Sequence, residues 1–355
     1  MSWYPAPLPD LTGRAYLVTG ANAGLGFFTA ARLVGAGARV VMTGRSSERL
    51  DAAAGVIRER VAAGAGSGEV GGSVETLVMD QASLGSVAAG AATVLGRELT
   101  GGAPLDGIVL NAGIVHTPFR RQVSVDGREL VLATNVLGHF ALLARLLEPA
   151  AAPAAPAPAA ASPAPAAASP AAQPAPAFTA GARIVTLGSL STLLTTFRVD
   201  DLQLERGYDP WRAYAQSKIA AASIAFELDR RLRAADAPLV SLVAHPGYSI
   251  SGRTPFVPGV NEPSRGSRFA DALQAAWAQG KHRGAEPILH AITADGVAGG
   301  QFWGPRGLVK GPPSPQRPVG VTTDPLVAAR VWDVAERATG VRLDLERGPA
   351  LEPGH

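Results

Sequence analysis

Short apolar runs alternate with helix-length segments along almost the whole chain, and this alternation restricts the fold more than any other feature. The runs cover residues 15–18, 39–42, 74–79, 105–110, 183–187, 239–244 and 301–303. Runs this short and this continuously apolar suit strands buried on both faces, joined by helical crossovers. Seven of them predict an α/β class chain: a doubly wound, mostly parallel sheet. A length of 355 residues fits one large domain or two smaller ones, and a hydrophobic content of 47% is ample for a core.

Residues with usable chemistry stand where these runs end. The first run feeds Thr19-Gly20-Ala21-Asn22-Ala23-Gly24-Leu25-Gly26 and then an amphipathic segment. Glycines there let a backbone approach a pyrophosphate at a helix N-terminus, where free N–H groups favour anions; the competing reading is a turn with no ligand. The second run ends in Thr43-Gly44-Arg45-Ser46. An NAD site usually has Asp or Glu at this place, whereas Arg accommodates a 2′-phosphate. Glu48 reads better as a first-turn helix residue, so NADP(H) is favoured over NAD(H), the alternative being a plain surface Arg45. Asp80, followed by Gln81, could cap the next helix.

Asp209 and Pro210 announce a helix to about Arg233, on which Tyr214 and Lys218 share a face. A phenol titrates near pH 10, and an ammonium beside it favours the phenolate, which brings proton transfer towards neutral pH. Alone, such a pair is more often part of a solvated face.

Taken together, the glycine turn, Asn111-Ala112-Gly113, Asn135, Gly188-Ser189, Tyr214 with Lys218, and His245-Pro246-Gly247 resemble the short-chain dehydrogenase/reductase family. The likeness covers roughly residues 11–250, more loosely 284–340, and has some of the character of the retinol dehydrogenase and protochlorophyllide reductase branches. It implies a Rossmann-type sheet of order 3-2-1-4-5-6-7. Catalytic roles fall on Tyr214 as proton donor, Ser189 orienting the substrate oxygen, Lys218 on tyrosine and ribose, and Asn135 in a water relay. Ser191 competes locally with Ser189, and family register favours Ser189. Cofactor contacts are implied for Gly20, Asn22, Gly24, Leu25, Gly26, Arg45, Asp80, Gln81, Asn111, Ala112 and Gly113, and for Tyr214, Lys218, Pro246, Gly247, Ser249 and Ser251. Leu110 departs from the usual Asn, and Ser251 stands where relatives often have Thr. His139 reads as a packing residue.

Residues 149–178 interrupt the pattern, with 17 Ala, 9 Pro and no charge among 30 residues. Scattered prolines forbid a continuous helix and little apolar bulk is left to pack, so a disordered insertion is expected. The alternation resumes after it with the motifs still missing, which makes this an insertion within a single domain spanning 1–355. Residues 248–283 occupy the place of a substrate lid.

Composition excludes several chemistries. The chain has no cysteine, hence no disulfide, thiolate nucleophile or Cys-based zinc site, and its six His lack metal-ligand spacing. A net charge of +3 without a basic stripe argues against nucleic acid. No secretory signal is evident, and the apolar run 131–147 is broken by Asn135, His139 and Arg145, so a cytoplasmic protein without a membrane span is expected. The expected activity is hydride transfer between NADP(H) and a carbonyl or alcohol of a small, hydrophobic substrate, with a homo-oligomer left open. The alternatives are an NADPH-dependent C=C reductase, against whose protochlorophyllide form the lack of cysteine counts, and a non-catalytic dinucleotide sensor.

Overall fold

Residues 7–65, 71–115, 117–147, 177–343 and 345 are described by a computed structural model of the chain. Eight strands form one sheet: β1 (Ala15–Val18), β2 (Arg39–Gly44), β3 (Ser73–Val78), β4 (Leu105–Leu110), β5 (Phe178–Leu187), β6 (Val240–Ala244), β7 (Phe302–Pro305) and β8 (Pro313–Gln316). Their spatial order is 3-2-1-4-5-6-7-8. All neighbours are parallel except β7 and β8, which pair antiparallel. The order implied by the family resemblance is thus present, extended by one edge strand that the sequence reading missed.

Side-chain alternation along the strands explains the two layers of helix. Tyr16, Val18, Val40 and Met42 point into one core, filled by Phe27 and Leu33 of α1 (Gly24–Gly35), Leu50 and Ile57 of α2 (Ser47–Ala65), and Ile288 and Ile292 of α7 (Glu286–Thr293). Leu17, Val41, Ile108 and Ile184 point into the other. There they meet α3 (Leu84–Leu95), α4 (Leu130–Leu147), α5 (Pro210–Ala234) and α8 (Pro325–Thr339). Period-two alternation with both faces covered is why the strands read as continuous apolar runs. At the centre of the second layer Trp332 is 1% exposed and meets Phe140 edge-on, with ring centroids 5.1 Å apart.

Caps set the helix ends that matter for the site. Asp209 accepts a bond from Arg212 N (2.7 Å), with Pro210 in the first turn of α5. Glu129 accepts from the N–H groups of Val131 and Leu132 and starts α4 at Leu130, later than the expected start near Gly127. Inside α4 the residues Ala133–Leu137 form a π turn, which carries Asn135. By length and composition α4 could cross a membrane, yet 83% of it is buried within the fold.

The expected insertion falls mostly outside the described residues, but its end needs correcting. Phe178 is 1% exposed, pairs with Leu105 and opens β5, and Ala177 O accepts from Leu105 N (2.8 Å). Apolar bulk at Phe178 overrides the composition of what precedes it. In the lid region, Ser249–Ile250 and Gln279–Gly280 form a two-stranded parallel ribbon, with α6 (Arg265–Ala272) between them in sequence.

Candidate active site

The carboxyl ends of β1, β4, β5 and β6 bring the expected residues to one edge of the sheet, as a doubly wound topology requires. After β1 the chain turns at Gly20 (φ 63°) and Gly24 (φ 59°), a backbone that L side chains adopt only with strain. Asn111, just past β4, fastens this turn: its Nδ2 donates to Thr19 O (2.8 Å) and Gly20 O (3.1 Å). Thr19 Oγ1 accepts from the N–H groups of Asn111 and Ala112, both at 2.9 Å. Gly26 is needed for packing, since a Cβ there would lie 2.5 Å from Asn111 Nδ2.

At the start of α1 no side chain caps the free N–H groups, and the first turn carries no acid. An uncapped helix N-terminus behind a glycine cradle fits a pyrophosphate. Arg45 lies exposed just past the end of β2, while Asn22 Oδ1 packs against Gly44. Past β3, Asp80 Oδ1 accepts from Ala82 N (3.0 Å), while Ser83 takes the capping role at α3 that Asp80 was a candidate for. Gln81 is buried, and neither polar atom of its side-chain amide has a partner among the described residues.

Ser189 and Tyr214 meet. The Tyr214 hydroxyl donates to Ser189 Oγ (3.2 Å), and Ser191 Oγ donates to that same oxygen (3.0 Å). Of the two candidate serines, Ser189 is the one within reach of the tyrosine. One turn along α5, Lys218 is 4% exposed and donates from Nζ to Leu187 O (2.8 Å), with Nζ 6.0 Å from the centre of the Tyr214 ring. Burial lowers the Lys218 ammonium to about 8. Burial also raises the Tyr214 phenol, opposed only by its bond with Ser189. The expected lowering of the phenol by Lys218 is therefore not seen: burial dominates and raises it, and the opposing influence is the bond to Ser189.

Asn135 has its side-chain hydrogen bonds with Ser217 and Ile114, not with Lys218. Its Nδ2 donates to Ser217 Oγ (2.9 Å) and Ile114 O (3.2 Å), and its Oδ1 accepts from Ile114 N (2.9 Å). It ties the segment after β4 to α5, beside Gly113. His139, expected only to pack, is bonded on both nitrogens: Nε2 to Thr19 Oγ1 (2.9 Å) and Nδ1 to Asn135 O (3.3 Å). Burial and the Lys218 charge push it down to about 3, so it is neutral. Ser217, Thr19 and His139 are the residues sequence reasoning missed. Their only signal was a hydroxyl or imidazole adjacent to a motif.

After β6, Gly247 (φ 65°) has no room for a side chain beside Val309 O. His245 holds this turn through Gly247 N (3.2 Å) and Gln316 Oε1 (2.8 Å). Ser249 Oγ donates back to Pro246 O (2.8 Å), and Ser251 begins a short 3-10 turn of which neither end is buried. The expected residues of the segment thus lie along one loop, with Leu25 facing Gly284 across from it.

Residues 14–152 match the family model described as short chain dehydrogenase. Retinol dehydrogenase 14 of Homo sapiens is 30% identical over 339 residues, which cover 93% of this chain and 87% of that protein. Polyprenol dehydrogenase of Mus musculus is 36% identical over 244 residues, 68% of this chain and 62% of that one. A crystal structure of an uncharacterised protein from Mycobacterium Paratuberculosis superposes with a TM-score of 0.68 at 30% identity, covering 97% of this chain and all of that one. With the strand order and the strand-end residues already in place, the chain belongs to the short-chain dehydrogenase family, in its retinol-dehydrogenase-like branch, and is an oxidoreductase of the kind that uses a nicotinamide dinucleotide.

Proposed function

We propose that this protein is an NADP(H)-dependent oxidoreductase that interconverts a carbonyl and an alcohol on a small, hydrophobic substrate. The observation that carries the reading is the Tyr214 hydroxyl 3.2 Å from Ser189 Oγ, with buried Lys218 one turn away. When bound, the nicotinamide supplies or accepts the hydride. In the reducing direction Ser189 Oγ holds the substrate oxygen and Tyr214 donates the proton to it. A phenol raised by burial is fully protonated at neutral pH, as a proton donor must be. Lys218, with its ammonium near 8, can replace that proton, and its side chain would hold the nicotinamide ribose. Asn135 fixes the backbone around Lys218 through Ser217, the position from which a water relay would start.

NADP(H) is supported by Arg45, which stands exposed beyond β2, where the strand ends in Thr43-Gly44-Arg45-Ser46 without an Asp or Glu. A hydrophobic substrate is supported by exposed apolar side chains in the loop after β5 and in residues 248–283, among them Leu193, Leu194, Phe256, Phe269 and Trp277. Residues 248–283 act as a lid in this proposal, within a single domain. A cytoplasmic location is supported by the burial of α4, which leaves that helix little surface for lipid.

Tyr214→Phe tests the reading because it keeps the ring and removes the hydroxyl. Turnover of NADPH with a carbonyl substrate should fall by roughly 10²–10⁴-fold with NADPH affinity nearly unchanged. A variant that turns over within about three-fold of the parent would remove Tyr214 from the role of acid. Binding of NADPH by a parent that reduces no carbonyl would instead favour a sensor.

A further inference from the structure

Lys281 reaches the glycine turn from the far side of the site, out of a segment read from sequence only as lid. Its backbone is fixed: Lys281 N donates to Thr254 Oγ1 (2.8 Å), and the two residues before it form the ribbon with Ser249–Ile250. Gln279 Nε2 also donates to Pro246 O (2.8 Å), so the position of Lys281 is tied to the loop after β6. Its side chain lies along the turn before α1. A Cβ built on Gly24 would stand 3.6 Å from Lys281 Cδ and 3.7 Å from Nζ.

Two positive features therefore face one gap. The uncapped N-terminus of α1 carries partial positive charge, and a half-buried ammonium lies over it. Such neighbours repel unless an anion sits between them. No carboxylate fills that place: among the described residues Nζ makes no hydrogen bond or ion pair. Burial lowers the Lys281 ammonium and Asp271 is near enough to oppose that, yet Asp271 Oδ2 accepts from Gly252 N (2.6 Å) and forms no salt bridge with Lys281.

We propose that Lys281 is a cofactor-binding residue that pairs with the dinucleotide pyrophosphate opposite the N-terminus of α1. This rests on the dinucleotide reading above and adds a clamp to it. The glycine turn supplies backbone donors from one side, and the segment following the ribbon supplies a full charge from the other. The charge comes from a segment fastened to the loop after β6, so both sides of the pyrophosphate would be held by fixed backbone.

The test is binding, not turnover. Lys281→Met keeps the aliphatic stem and removes the charge, and Lys281→Arg keeps the charge. Affinities for NADPH, NADH and ADP-ribose, all of which carry the pyrophosphate, are measured by calorimetry alongside adenosine 2′-monophosphate, which lacks it. Lys281→Met should weaken the first three alike, by roughly 10–100-fold, as loss of a charge-assisted contact does. Lys281→Arg should recover most of that loss, and adenosine 2′-monophosphate should be indifferent to both. Equal affinities for parent and Lys281→Met overturn the inference while leaving the dinucleotide reading intact. A loss confined to NADPH also overturns it, because the contact is then with the 2′-phosphate. A parent that binds none of the three overturns both. Lys281→Gln serves as a second neutral variant if Lys281→Met does not fold, with the same outcomes read from it.

Discussion

Burial acts in opposite directions on the two members of the Tyr214–Lys218 pair, raising the phenol and lowering the ammonium to about 8. Alcohol oxidation, which needs the proton removed, should therefore gain rate as pH rises through about 8, whereas carbonyl reduction should not. Arg45 bears on cofactor choice. Its replacement in Arg45→Ala should raise the Michaelis constant for NADPH by roughly ten-fold or more, the worth of one charge-assisted contact, and leave that for NADH nearly unchanged. Equal losses for both cofactors would take the 2′-phosphate away from Arg45. Tyr214 and Lys218 were legible as a pair from their helical spacing, whereas Ser189 and Asn111 were picked out by the family resemblance of the strand-end motifs that carry them. Thr19, His139 and Lys281 were not. Thr19 meets His139 across 120 positions of sequence, and Lys281 meets Gly24 across a still longer gap, and no periodicity announces such meetings.

Of the elements, the long apolar helices and central strands were readable to within a few residues, because their burial imposes a period that composition reveals. Three features were hidden. The π turn at Ala133–Leu137 has no sequence signature, although it displaces the helix register around Asn135. Phe178 opens β5 behind a run of Ala and Pro that masks it. β8, Pro-Ser-Pro-Gln, carries two prolines and so reads as anything but a strand. Both α4 and β5 are anchored in the core at Leu147 and Phe178, each no more than 2% exposed. Replacing residues 148–176 by a short Gly/Ser connector should therefore leave cooperative unfolding and NADPH binding close to the parent, since loop length costs little. Insoluble protein, or a thermal midpoint lowered by more than about 5 °C, would show that the segment contributes to the fold.

For the molecule as a whole, the site carries a stability cost that depends on pH. Lys218 falls from its usual 10.5 to about 8 on folding, so its contribution is fully favourable only above 10.5 and is lost as pH drops through 8. Lys218→Met should thus gain stability relative to the parent as pH falls, more at pH 7 than at pH 10, read from urea unfolding, while activity is lost. A gain of equal size at both pH values would mean that the ammonium is not the source. His139, neutral down to about 3, adds a second loss of stability as pH falls below 6.5. The outermost strand bears on how copies of the chain can meet. In β8 only Ser314 and Gln316 have N–H groups to give β7, so Pro313 and Pro315 stand at the places whose donors would face outward. A further strand laid against that margin would find carbonyls without donors between them, so the sheet cannot propagate from one molecule into the next on that side.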